Sequence, residues 1–376
     1  MIRRAALFTV FSVALVTVLL VLFEGFASTL RVAREIATTK PVAERRYTTY
    51  DPDLGWVSVP NTFIPDMYGA GRALRINAQG FRGNEPVTKW VPPGKVRVIC
   101  SGDSFTFGYG VDNDHGWCQQ LAALDARMQT VNMGQSGYGV DQAYLWFKRD
   151  GARLDHDIHL FAFVTTDFVR MLYPRFLGYG KPVLDVRDGT VIVNNVPVPR
   201  SSPFRLWLNR LAPTLGHLNS VRLLQRTFFP RTSADGRSKE EVGNWARQLV
   251  AAVIVDLQRL NDARHSALVL VLLPTRGDYV GNDADFWREF LQDQAAQQGV
   301  AFIDMIEALR AVPPQQVGQF FIHEGGIDYL AAAGHYTDAG NAWVAATLYR
   351  SLQALPQTAA KLHPQNDNTL RTDLLR

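Results

Sequence analysis

Short apolar runs recur along this chain, and between them lie stretches whose apolar residues repeat every three to four positions. That alternation admits few folds, because strand-period runs followed by helix-period runs build a parallel sheet covered by helices on both faces. Residues 96–99, 130–133, 157–168, 267–273 and 300–304 read as strands. Residues 116–128, 283–298 and 338–355 read as helices. Val242, Trp245, Leu249, Val250, Val253, Leu257 and Leu260 add the stripe of a long amphipathic helix. The fold class expected is α/β, with three layers.

In such sheets ligands bind beyond the carboxyl ends of the strands. Gly102, Asp103 and Ser104 follow the first strand, so a serine hydroxyl is presented at that edge. A serine needs a base to take its proton. His335 stands in a polar loop just before the last helix and can serve; His323 is the alternative.

Gly102-Asp103-Ser104-Phe105-Thr106-Phe107-Gly108 resembles the first block of the GDSL or SGNH hydrolases, a family of esterases, lipases, thioesterases and carbohydrate acetylesterases. Asn132-Met133-Gly134-Gln135-Ser136-Gly137 resembles the second block, and His335 with Thr337 and Gly340 resembles the last. Three blocks in family order span roughly residues 96–355. The resemblance implies a flavodoxin-like sheet, Ser104 as nucleophile, His335 as base, and amides of Ser104 and Gly137 holding the oxyanion.

Two blocks depart from the pattern. Thr166 stands where the third block carries asparagine, so its hydroxyl is the expected third oxyanion contact. Ala332 stands where the family places an aspartate three residues before the histidine. Asp328 is then the expected partner of His335, a Ser–His dyad being the alternative, while Asp338 suits a helix cap. Asp103, Asn132 and Asp167 read as bracing residues beside the site.

Residues 5–23 carry no charge, follow Arg3 and Arg4, and are long enough to cross a bilayer's hydrocarbon core of roughly 30 Å. A single-pass anchor over 1–28 is expected, a cleaved signal peptide being the alternative. Arg31, Arg34 and Lys40 nearly balance the basic residues ahead of the span, so the charge rule sets no orientation. By analogy with anchored members of the family, the enzyme is expected outside the cytoplasm. Residues 29–94 form a stalk and a β-rich, aromatic collar, read as edge packing or a glycan-binding surface. The hydrolase domain is expected over 95–356, with a tail over 357–376. An insertion at 173–237 carries a hairpin turning at Asp188-Gly189, read as a lid, a substrate wall or an edge decoration.

A net charge of +4 is spread along 376 residues without a dense basic run, which argues against nucleic acid. Gly108-Tyr109-Gly110 lacks the further glycine and lysine of a phosphate loop. Cys100 and Cys118 are the two cysteines, too few for a disulfide framework or zinc ribbon, and read equally as a disulfide or as buried thiols. The pairs His115 with Cys118 and His156 with His159 lack completing ligands, so neither metal nor cofactor is expected.

The function expected is a serine esterase removing or transferring O-acyl groups, acetyl first, on cell-envelope or exported polysaccharide. Expected partners are that substrate, the membrane, and proteins of polysaccharide biosynthesis or export. A lipase or lysophospholipase, and a catalytically inactive glycan-binding component of a polysaccharide assembly, are the alternatives.

Overall fold

The computed structural model describes residues 2–39, 47–176, 178–204, 206–207 and 239–362. The central sheet has five parallel strands: β1 Val96–Gly102, β2 Met128–Gly134, β3 Ile158–Phe163, β4 Ala267–Leu272 and β5 Ala301–Asp304. Their spatial order is β5-β4-β3-β1-β2, the flavodoxin-like order. The α/β/α fold read from the sequence is borne out by this topology.

Successive strand residues point to opposite faces and are buried on both. Phe161, Phe163, Leu268, Leu270 and Leu272 enter one core layer, while Leu160, Ala162, Val269 and Val271 enter the other. The first layer is closed by α4 Val140–Arg149, α6 Lys239–Asp262 and α7 Asp285–Gln298. In α6 the stripe buries Leu249, Val250, Val253 and Leu257 as expected. Each such side chain contributes about 1.5–3 kcal/mol relative to exposure. The second layer is closed by α3 Trp117–Leu124 and α9 Asp338–Ala354, which pack together beside α8 Met305–Arg310.

Several boundaries move. The first domain helix stops at Leu124 and β2 starts at Met128, because Asp125 turns the chain, holding Arg127 by backbone and side chain. The third strand stops at Phe163, so Thr166 and Asp167 lie in the short helix α5 Thr165–Arg170 rather than at a strand end. Asp167 accepts the Val164 N–H and caps that helix. The expected tail begins as α10 Pro356–Leu362, with Thr358 and Leu362 buried, so it is packed that far; residues 363–376 lie outside the described residues.

The hairpin Val183–Arg187 with Thr190–Asn194 forms as expected, Asp188 and Gly189 taking positive φ at its turn. It packs on α6, with Leu184 buried in the core, and makes no described hydrogen bond to Ser104 or His335. Within the expected insertion, residues 177, 205 and 208–237 lie outside the described residues.

At the amino terminus, α1 Ile2–Thr38 is continuous through position 28, so the expected anchor and the first part of the stalk are one helix of 37 residues. It is long and apolar enough to cross a membrane, and its apolar window is not buried against the rest of the chain.

Candidate active site

Ser104, Gly137, Thr166 and the Pro274 loop all follow carboxyl ends of sheet strands. Tyr336 Oη donates to the Pro274 carbonyl at 2.6 Å and so brings the His335 loop to the same edge. A Cβ on Gly102 would strike the Ala162 carbonyl and the Thr106 side chain, so the turn into Ser104 needs glycine. Asp103 then caps α2 Ser104–Phe107 by accepting the Phe105 N–H at 2.9 Å.

The structure brings Ser104 and His335 together, with Oγ and Nε2 2.8 Å apart. His335 Nδ1 is 3.2 Å from the Ala332 carbonyl and donates to it, which leaves Nε2 as the acceptor for the serine proton. Phe105 stacks on the imidazole, with centroids 4.8 Å apart, and Tyr109 lies 4.9 Å away. Burial among these rings pushes the imidazole down to about 4; the Ala332 carbonyl opposes this and the Arg170 charge adds to it.

Asp328 is not brought to His335. It is exposed, and a backbone carbonyl occupies the position behind the imidazole that a carboxylate would take. Gly334 and Ile322 fix the loop by backbone bonds, so its residues reach His335 by carbonyls rather than acids. His323 is exposed and makes no contact with Ser104. Thr166 is exposed in the first turn of α5, and its hydroxyl meets neither Ser104 nor His335.

The second block forms a tight loop off β2, where Gly137 takes φ +82. Asn132 braces its base, donating to the Thr106 carbonyl and accepting the Gly134 N–H. Two buried carboxyls lie under the nucleophile. Burial pushes Asp103 up, and Arg170 opposes it. Burial and the Asp103 charge push Asp167 well up.

Sequence reasoning missed how far the collar reaches into this site. Tyr47 Oη donates to Ser136 Oγ at 2.9 Å, Trp56 Nε1 donates to the Ser136 carbonyl at 3.0 Å, and Ser58 Oγ donates to Gln135 at 2.7 Å. Tyr138 Oη in turn donates to the Trp56 carbonyl. Leu54, Trp56 and Phe81 belong to the same core as the sheet, so the collar is not merely edge packing. The buried Arg82 guanidinium binds the carbonyls of Phe107, Gly108, Val111 and Asp112 and clamps the loop after α2. Aromatic spacing in residues 47–83 carried no sign of these partners, since they are far away in sequence. Arg170 was also missed; it follows the third block by one helical turn.

Cys100 and Cys118 are disulfide-bonded, with Cα atoms 6.2 Å apart, tying β1 to α3. His156 and His159 meet at Asn261 in a buried hydrogen-bond network, and His159 also meets Ser101. Those side chains are committed to each other, and among the described residues none forms a metal-ligating group of three.

The fold and the Ser–His contact together define an α/β protein with the geometry of a nucleophilic serine at a strand-end edge. No family model and no curated protein matches the chain. Among solved structures it is similar to a lipolytic protein of the G-D-S-L family from Desulfitobacterium hafniense, at 15% identity over 68% of this chain and 99% of that one, TM-score 0.38. It is also similar to a G-D-S-L lipolytic protein from Veillonella parvula, at 16% identity over 69% and 100%, TM-score 0.38. An acetyl xylan esterase is similar at 14% identity over 68% and 99%, TM-score 0.39.

Proposed function

We propose that this chain is a serine esterase that works through an acyl-enzyme. The observation that carries the reading is the 2.8 Å contact between Ser104 Oγ and His335 Nε2. As the Oγ–C bond forms, the serine proton passes to Nε2, and the carbonyl π pair moves onto oxygen. The proton on Nε2 then goes to the leaving alcohol as the C–O bond breaks. Water, or a sugar hydroxyl in a transfer reaction, attacks the acyl-enzyme in the same sense. The amides of Ser104 and Gly137 are the proposed oxyanion donors.

The substrate class we propose is O-acyl groups, acetyl first, on cell-envelope or exported polysaccharide. Its support is placement: an apolar helix of spanning length precedes the domain, and the paired cysteines suit an oxidising compartment outside the cytoplasm. Polysaccharide biosynthesis or export proteins are the proposed neighbours. Protection of the domain from protease added to intact spheroplasts would place it inside instead.

Ser104→Ala should abolish turnover of p-nitrophenyl acetate and labelling by a fluorophosphonate. Retained turnover would remove Ser104 from the mechanism. Acetate release from acetylated glycans, beside fatty-acid release from lysolipids, separates the polysaccharide reading from a lipase.

A further inference from the structure

Beneath Ser104 lies a set of charges that the Ser–His chemistry does not use. Arg170, in the second turn of α5, holds the centre of it. Its Nη1 donates to the Tyr138 carbonyl, next to Gly137, and to Asp167. The same nitrogen is 3.9 Å from Asp103 Oδ2, which is 3.5 Å from Ser104 Oγ. One guanidinium therefore reaches Asp103 of the first block, Asp167 of the third, and Tyr138, which directly follows the second.

The base of this arginine is fixed from below. Lys181, fully buried, donates to the Arg170 carbonyl at 2.7 Å and pairs with buried Asp141 at 2.9 Å. Its charged end is not sealed in: 15% of the side chain is exposed, and the described hydrogen bonds of the guanidinium all leave from Nη1. A purely structural arginine at this depth would be expected to spend its other donors on protein acceptors.

On the esterase reading above, on which this inference rests, negative charge develops on the acyl oxygen as it bonds through carbon to Ser104 Oγ. We propose that Arg170 stabilises that oxyanion, supplying a third contribution beside the Ser104 and Gly137 amides. A cation fixed beside the place where charge forms acts on that charge and needs no reorganisation when it does. Asp103 and Asp167 hold the guanidinium in place. Thr166, exposed and apart from the pair, is then not required for this role.

The charged groups facing Arg170 are Asp103 from the cap of α2, Asp167 on its own helix, Lys181 at its carbonyl, and His335 across the site, and the guanidinium lies over the Phe176 ring at 4.9 Å. Against His335 the arginine acts in the opposite sense, since two positive charges disfavour each other. Neutralising Arg170 should therefore slow the chemistry and, at the same time, make His335 easier to protonate. A bracing residue alone would not produce that pairing.

The test uses the purified full chain in detergent, with p-nitrophenyl acetate and pH–rate profiles. Arg170→Gln keeps an N–H for the Tyr138 carbonyl but loses the charge; Arg170→Lys keeps the charge. For Arg170→Gln, kcat should fall on the order of 100-fold with KM within about threefold, and the acid limb of kcat/KM should move to higher pH. Arg170→Lys should recover part of kcat, and added methylguanidinium should restore part of the Arg170→Gln rate. Thermal unfolding of each variant reports folding. Folded Arg170→Gln with kcat within twofold of the parent and an unmoved limb would overturn the role of Arg170 while leaving the esterase reading intact. If Arg170→Gln does not fold, folded Arg170→Met, which also loses the charge, decides by the same two readings: a fall in kcat with the acid limb moved to higher pH supports the role, and kcat within twofold with an unmoved limb overturns it. A parent chain inert to both the ester and the fluorophosphonate would overturn both readings.

Discussion

His335→Asn removes a half-buried imidazole, and the dependence of folding stability on pH should change with it. Burial holds this imidazole near 4 in the folded protein, against 6.5 for an ordinary histidine. Between those values the unfolded chain binds a proton that the folded chain excludes, so stability rises with pH through the window and is lost as pH falls from 6.5 to 4. At 1.36 kcal/mol for each factor of ten, the loss from this one group reaches about 3 kcal/mol by pH 4. Urea denaturation followed by tryptophan fluorescence, in one detergent at pH 7, 5.5 and 4, measures it. The parent should lose about 3 kcal/mol more than His335→Asn across that range. The raised Asp103 and Asp167 carboxyls titrate in both proteins and largely drop out of the difference. Activity should report the same group: because the neutral imidazole is the base, the acid limb of kcat/KM should fall near pH 4. Parallel stability profiles for the two proteins, together with an acid limb near 6.5, would refute the argument.

Two further outcomes test the rest of the site. Asp328→Asn should leave kcat/KM within about twofold, because the Ala332 carbonyl, not this exposed acid, stands behind His335; a fall of about 10⁴, of the kind seen when a triad acid is neutralised, would restore Asp328 to the mechanism. Tyr47→Phe removes the donor to Ser136 and should cost about 1 kcal/mol of stability, with a several-fold lower kcat and little change in KM, since the loop bearing Gly137 loses one of its ties; steady-state kinetics with thermal unfolding check both, and an unchanged kcat would reduce the collar to packing.

The fold was largely legible in the chain itself. The continuous apolar run of 267–272, buried on both faces, and the three-and-four stripe of 242–260 are local consequences of strand and helix geometry, so a single sequence carries them. The hairpin at Asp188-Gly189 was legible for the same reason, its turn requiring positive φ at adjacent residues. Ser104 and His335 could each be marked as candidates from the turn and the loop that present them. Tertiary structure decided what lies around them. A backbone carbonyl rather than Asp328 orients His335, and Tyr47 and Trp56 grip the Gly137 loop from about 80 residues away. Arg170 gathers Asp103, Tyr138 and Asp167 about one guanidinium. Ala332 and Asp167 lie only three residues from His335 and Arg170, but which of their groups turn toward them is set by how the loop and helix pack. Tyr47, Trp56, Asp103 and Tyr138 are distant in sequence from the groups they meet, and their order along the chain carries no trace of that meeting.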